Sequence, residues 1–318
     1  MNNGRLTIND EGQTLIYPLT SLPIMFPSFL PTTAKNLSES TSLNLAQQIE
    51  NAAIATPLVK SPIYTTYVRQ GNTQPTPILL LHGFDSSVFE FRRLLPLLAE
   101  KRETWALDLL GFGFTDRTAG NSFTLTDIKT HLYSFWKTLI ARPVILVGAS
   151  MGGAAAIDFT LSYPDAVSQL VLLDSAGLAK GPVIGKFLIP PFDRLATEFL
   201  RRPQVRRKIS QTAYYDKIFN SQDAQLCAAL HLEMPGWHEA LVSFTKSGGY
   251  GSFRERLGQI DVPTLILWGR NDRILGTKDA GKFERAIANS QLIWIENCGH
   301  VPHLEQSQMT AESLLEFS

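Results

Sequence analysis

The chain has 318 residues, 44% hydrophobic and 18% charged, enough apolar material for a sizeable core and too much for wholesale disorder. Lysine plus arginine equals aspartate plus glutamate, at 29 each, so no net charge marks the chain for nucleic acid. Two cysteines, Cys227 and Cys298, with no C-x-x-C, exclude a disulfide framework and a structural zinc signature, and a reduced, cytoplasmic setting is expected.

Residues 1–55 are mixed in composition and weakly periodic, and read as an N-terminal arm. No basic region at the N-terminus runs into an apolar stretch, so no secretory signal is expected. The apolar stretch 22–30 contains Pro23 and Pro27 and is too short and broken to span a bilayer. It is expected to lie along the protein or to touch a membrane surface. From residue 56, short apolar runs alternate with helical patterns, the signature of a parallel sheet covered by helices. Runs at 63–68, 77–81, 105–109, 144–147, 170–173, 264–268 and 292–295 predict seven strands, and continuous runs such as Ile78-Leu79-Leu80-Leu81 predict burial on both faces. Leu125, Ile128, Leu132, Phe135 and Leu139 share one face of a helix. Further helices are predicted over 150–163, stopped by Pro164, over 278–288, and over 302–317 with Pro302 in the first turn. The stretch 178–257 has helical patterns and no strand. It reads as a cap inserted over the carboxyl ends of the strands, where ligands of open parallel sheets bind. The expected fold is α/β: a mostly parallel central sheet flanked by helices, its core split into 56–177 and 258–318 around that helical cap.

The strongest chemical signal is Gly148-Ala149-Ser150-Met151-Gly152-Gly153. It follows a predicted strand and opens a predicted helix, the setting of a G-x-S-x-G nucleophile turn. Such a turn holds the serine in a strained conformation with its hydroxyl exposed, and the glycines let neighbouring backbone approach without a Cβ clash. The N–H of Met151 then faces the helix N-terminal pocket, where developing negative charge is stabilised. Leu81-His82-Gly83-Phe84-Asp85 ends a buried strand; a loop turning back at the glycine makes the N–H of Phe84 the second oxyanion donor. His82 itself reads as a structural hydrogen-bonder. A serine nucleophile needs a base, and Cys298-Gly299-His300-Val301-Pro302 offers His300 in a loop after the last strand, with His303 its competitor inside a predicted helix. The acid that orients the imidazole is Asp272, after Trp268-Gly269-Arg270-Asn271, which gives the chain order Ser, Asp, His. Asp174, at the end of the run 170–173, is its rival. Asp108-Leu109-Leu110-Gly111-Phe112-Gly113 reads as a tight structural loop, with Phe112 or Phe114 reaching the pocket.

Together H-G-F, D-x-x-G-x-G, G-x-S-x-G-G, G-x-N-D and C-G-H-x-P resemble the α/β-hydrolase superfamily from about residue 60 onward. The branch is that of simple serine esterases, carbon–carbon bond hydrolases, cofactor-free haloperoxidases and chlorophyll-dephytylating enzymes. The resemblance implies an acyl-enzyme on Ser150 and no metal or organic cofactor. Three positions narrow it. Ser150 stands where dehalogenases and epoxide hydrolases carry an aspartate, Asp85 where epoxide hydrolases carry the proline of H-G-x-P, and Ala149 where ring-cleavage hydrolases usually carry asparagine. The expected activity is hydrolysis of a small or medium apolar carboxylic ester. A carbon–carbon hydrolase or haloperoxidase with the same triad, and a slow-turnover ligand receptor of the same fold, are the alternatives.

In the cap, Phe187, Phe192, Met234, Trp237 and Phe244 are pocket candidates or cap core, and Arg201, Arg202, Arg206, Arg207 and Lys208 form a basic cluster, either a solvated helix face or an attractor of anionic substrate or membrane. The expected partner is a small apolar molecule, with peripheral membrane contact, no nucleic acid, no transmembrane segment, and a monomer or homodimer as the assembly.

Overall fold

Strand side chains alternate between two faces, and here both faces are apolar, so the sheet carries a core on each side. The computed structural model describes residues 5–8, 14–17, 25–72, 76–117, 122–179 and 192–318. In chain order the elements begin with an antiparallel pair, β1 (Arg5–Ile8) and β2 (Thr14–Tyr17), then α1 (Ser40–Gln47), β3 (Ile49–Ile54), β4 (Ile63–Gln70), β5 (Ile78–Leu81), α2 (Leu94–Ala99) and β6 (Thr104–Leu107). There follow α3 (Leu125–Phe135), β7 (Val144–Ala149), α4 (Met151–Ser162) and β8 (Val167–Leu173). The stretch to the next strand holds α5 (Phe192–Arg201), α6 (Pro203–Ala213), α7 (Gln222–Cys227) and α8 (Trp237–Lys246), with no strand among its described residues. β9 (Thr264–Gly269), α9 (Ala280–Ala286), β10 (Ser290–Ile295), α10 (Pro302–Glu305) and α11 (Ser307–Phe317) complete the chain.

The main sheet has eight strands in the order β10-β9-β8-β7-β5-β6-β4-β3. Strands from β10 to β6 run parallel, and β4 and β3 are antiparallel to their neighbours. Leu79, Leu81, Leu146, Leu170, Leu172, Ile266 and Trp268 face one core. Their neighbours in sequence, Ile78, Leu80, Ile145, Val147, Val171, Leu265 and Leu267, face the other. α4 is buried along ten of its twelve residues. A helix apolar on every side belongs inside the molecule, and this one seats the turn at Ser150 firmly.

All seven predicted strands form. The eighth, β3, lies inside the segment expected to be an arm, and the boundary at residue 55 is corrected accordingly. Leu30, Ala34, Leu37, Leu45, Ala46 and Ile49 are all buried in the second core. Their pattern was unreadable as periodicity because a 3-10 turn (Thr32–Asn36), a short helix and an edge strand follow one another within 25 residues. Residues 22–24 of the apolar stretch 22–30 lie outside the described residues; Phe26 and Phe29 pack against that same core. The single C-terminal helix expected over 302–317 breaks at Gln306, whose φ of −126° and ψ of 47° are not helical. No helix of the described residues is long and apolar enough to cross a membrane.

Leu45 is 2% exposed. Leu45→Ala is expected to lower the unfolding free energy by about 2–5 kcal/mol, measured by urea denaturation; a loss below about 1 kcal/mol, as at a surface site, would return residues 25–55 to the status of an arm.

Candidate active site

The carboxyl ends of β5, β7, β8, β9 and β10 lie side by side, and each is followed by a loop that carries a candidate residue. After β7 the chain turns directly into α4, and Ser150 sits at the turn with φ 51° and ψ −116°. A left-handed conformation at a non-glycine residue stores of the order of 1–3 kcal/mol and persists only where the surroundings impose it. Here they do. A Cβ on Gly148 would stand 2.3 Å from Gly152 O, and one on Gly152 would stand 2.1 Å from Leu81 O. A Cβ on Gly153 would meet Ser175 Oγ at 2.1 Å. At Gly148 and Gly152 of the motif β5, β7 and α4 therefore touch backbone to backbone, and at Gly153 the Ser175 side chain from the loop after β8 closes on α4.

His300 reaches Ser150 from the loop after β10. Its Nε2 lies 2.9 Å from Ser150 Oγ and its Nδ1 3.0 Å from Asp272 Oδ2. Asp272, in the loop after β9, also accepts the N–H groups of Ile274 at 2.7 Å and Leu275 at 3.1 Å. The loop bearing His300 is fastened by Glu305, whose carboxylate accepts the N–H groups of Gly299, Tyr215 and Asp216, while His300 N donates to Ala213 O at 2.7 Å. A Cβ on Gly299 would be 2.0 Å from Ala213 O, which explains the glycine before the histidine. Asp174 lies in the same nest: one of its carboxylate oxygens is within 4.8 Å of ligand atoms on Asp272 and His300. It makes no hydrogen bond to the imidazole; its Oδ1 accepts Gly269 N at 3.0 Å. Burial, and next the neighbouring carboxylate of Asp272, hold the Asp174 carboxyl well above the usual range. These three residues are also the group whose spacing approaches that of a cation site; the two ring nitrogens of His300 are engaged by Ser150 and Asp272. His303 points elsewhere, with Nε2 3.0 Å from Glu90 Oε1.

The loop after β5 passes beside Ser150: a Cβ on Gly83 would lie 3.4 Å from Ser150 Cβ. The N–H groups of Phe84 and Met151 have no hydrogen-bond partner among the described residues. His82 Nε2 accepts Leu109 N at 3.1 Å, so its Nδ1 carries the proton and donates to Gly83 O at 2.7 Å. Burial depresses this imidazole to about 4 and it stays neutral. Glu90, a residue the sequence did not single out, accepts Gly83 N at 2.9 Å and lines the cavity at Ser150. Burial by itself would raise its carboxyl; the His303 imidazole beside it outweighs that and holds it at about 2.

Ser150 and His300 open into a cavity of about 280 Å³. Its walls are mostly apolar, with Leu200, Ile209, Ala213 and Tyr214 from the helical insert and Ile274, Val301 and Leu304 from the core. Of the pocket candidates, Phe187 lies outside the described residues. Phe112 and Trp237 do not line the cavity. Phe112 stands behind Phe84, against Phe244 at 5.3 Å between ring centroids. Trp237 turns its Nε1 to Asp85 Oδ1 at 2.8 Å. Asp85, at φ 49°, is the joint between this loop and the insert. Its carboxylate also takes Arg206 Nη1 at 2.6 Å and His231 Nε2 at 3.0 Å. Its burial favours the neutral acid, but His231, Arg206 and Trp237 together keep the carboxyl well below its ordinary range. Arg206 thus leaves the expected basic cluster and faces inward. A buried aspartate one residue after H-G-F could have signalled such a tie; nothing in the spacing named its three partners.

A carboxyl held at about 2 when folded, against an ordinary 4.5, stabilises the fold above pH 4.5 and loses that contribution as pH falls towards 2. The stability advantage of the wild type over Glu90→Gln is expected to shrink by roughly 2.5 kcal/mol between about pH 6 and pH 2.5. Denaturant melts across that range check it, and a difference independent of pH would remove the ionised Glu90 from the site.

The sequence pattern of the alpha/beta hydrolase family matches residues 78–313. The chain is similar to the alpha/beta hydrolase domain-containing protein VTE7 of Arabidopsis thaliana, 33% identical over 99% of this chain and 93% of that protein. It is also similar to 2-hydroxy-6-oxo-2,4-heptadienoate hydrolase of Pseudomonas putida, 28% identical over 73% of this chain and 85% of that one. Among solved structures, a thermophilic esterase from Thermogutta terrifontis superposes with a TM-score of 0.72 at 23% identity, covering 84% of this chain and 97% of its own. Strand order, glycine-crowded turn and sequence match agree: this chain belongs to the alpha/beta hydrolase family.

Proposed function

We propose that the protein is a serine hydrolase that cleaves an apolar carboxylic ester through an acyl-enzyme. One observation carries the reading: the Ser150 hydroxyl, held at a left-handed turn and 2.9 Å from His300 Nε2, opens into an apolar cavity. Ser150 Oγ attacks the carbonyl carbon as His300 takes its proton. Asp272 keeps the proton of His300 on Nδ1, the tautomer in which Nε2 is a base, and stabilises the imidazolium that forms. The free N–H groups of Phe84 and Met151 receive the oxyanion. His300 then protonates the departing alkoxide, and water, activated by the same imidazole, releases the acid. Helices α5 to α8 serve as the cap that roofs the acyl or alcohol chain. A cavity of about 280 Å³ is at the small end of ligand sites and suits a short or medium chain.

Pocket charge favours an ester over the anionic dienoate named in the Pseudomonas putida relative. Arg206 is the sole guanidinium lining the cavity among the described residues, and Asp85 already holds it. Glu90 sets a carboxylate on the same wall. An acid-bearing substrate would meet a paired cation and a like charge.

Labelling with a fluorophosphonate probe is expected in the wild type and absent in Ser150→Ala, with p-nitrophenyl esters of short and medium chain turned over. Labelling that survives the substitution would place the nucleophile elsewhere, and faster cleavage of a vinylogous diketone than of any ester would move the reaction to carbon–carbon bonds. Asp272→Asn is expected to lower kcat by roughly 10³- to 10⁴-fold, and Asp174→Asn by less than about tenfold, since Asp174 does not touch the imidazole; steady-state kinetics giving the reverse order would exchange their roles.

A further inference from the structure

Helix α5 is built inside out. Its inward side carries Asp193, 7% exposed, and Thr197, 4% exposed, held by Lys246 Nζ on Asp193 Oδ2 at 3.2 Å and by the His238 imidazole on the Thr197 hydroxyl. Its outward side carries Phe192, Leu195 and Phe199, exposed by 62%, 61% and 53%. Apart from Leu200, which packs against Leu232, Trp237 and Leu241, the helix packs through its polar side and offers solvent an apolar stripe, the reverse of a core-facing helix, and exposed apolar patches of this kind mark a surface made to be covered. The stripe leads to the cavity: Leu200, next to Phe199, and Ile209, 48% exposed on α6, both line it.

Charge identifies what covers the stripe. Over residues 192–213 the sequence carries Arg194, Arg201, Arg202, Arg206, Arg207 and Lys208 against Asp193 and Glu198. Asp193 is paired with Lys246, and Arg206 with Asp85. The exposed remainder is five cations and one anion, in a chain whose charges cancel only over its whole length. An apolar stripe flanked by arginine and lysine is the pattern of a helix lying in the headgroup layer of an anionic bilayer. A second copy of this chain would set five cations against five.

We propose that the α5–α6 face docks on an anionic lipid surface and sets the cavity mouth at Leu200 and Ile209 against it, so that apolar esters enter from the bilayer. The inference rests on the reading of the cavity as an ester site, but docking is measured without turnover. The full chain, as wild type and as Ser150→Ala, is sedimented with vesicles of phosphatidylcholine alone and of equal parts phosphatidylcholine and phosphatidylglycerol. Both proteins are expected to bind the anionic vesicles, less so as salt rises, and to leave the neutral ones largely in solution. Phe192→Ser/Leu195→Ser/Phe199→Ser is expected to weaken that binding by about tenfold or more, with the thermal melt and the hydrolysis of a water-soluble ester retained. Should that triple variant misfold, Arg194→Glu/Lys208→Glu, at two exposed positions, is expected to weaken it by about tenfold. No binding of the wild type to anionic vesicles, or binding untouched by folded variants, overturns the proposal. So does a wild-type dimer that the triple variant converts to monomer without any vesicle binding, since the stripe would then be an interface between copies. Vesicle binding without hydrolysis of any ester would leave the docking surface standing and overturn the ester reading alone.

Discussion

Backbone crowding at the end of β7 is the constraint on which the rest of the site depends. Four pieces of chain meet there with no room for a Cβ: Gly148 against Gly152, Gly152 against Leu81, and Gly153 against Ser175. That contact leaves Ser150 no extended or right-handed path between strand and helix, and the left-handed turn lifts its hydroxyl out of the sheet. The same crowding brings the loop after β5 beside the serine, where a Cβ on Gly83 would lie 3.4 Å from Ser150 Cβ. The cost of the turn is met by the two-sided apolar core, since α4 and the central strands are buried almost throughout.

Around this rigid centre the loops are joined by buried carboxylates, each accepting from several directions. Asp85 gathers Arg206, His231 and Trp237 from three elements of the insert. Glu305 gathers backbone donors from the insert and from the loop of His300. Glu90 holds the loop after β5. Desolvating a carboxylate is costly, and removing one partner of a buried charge is costlier still, so these joints hold loop and insert in one geometry more than they add net stability. Asp174 is the contrasting case: with Asp272 beside it and one backbone donor, the same burial favours the neutral acid. Asp272, the aspartate that touches the imidazole, accepts from three donors.

Taken by itself, the sequence determined whatever depends on neighbours along the chain. Strand runs such as Val144-Ile145-Leu146-Val147 are legible because a strand buried on both faces must be continuously apolar. The turn at Ser150 is legible because only glycine tolerates a backbone contact where a Cβ would sit, and His300 because a glycine precedes it at the end of a strand. Only the tertiary structure decided what depends on residues distant along the chain. Asp272 and Asp174 end adjacent strands, and which of them faces His300 turns on how two loops fold back. Residues 30–54 hold an edge strand and core side chains, but three short elements in succession leave no period to read. In the insert, amphipathic spacing reveals helices without revealing which face looks inward. Trp237 and Phe112 pack away from the cavity, Tyr214 and Ile209 line it, and α5 buries its polar side, because the partners that settle those orientations, Asp85, Lys246 and His238, lie tens of residues away.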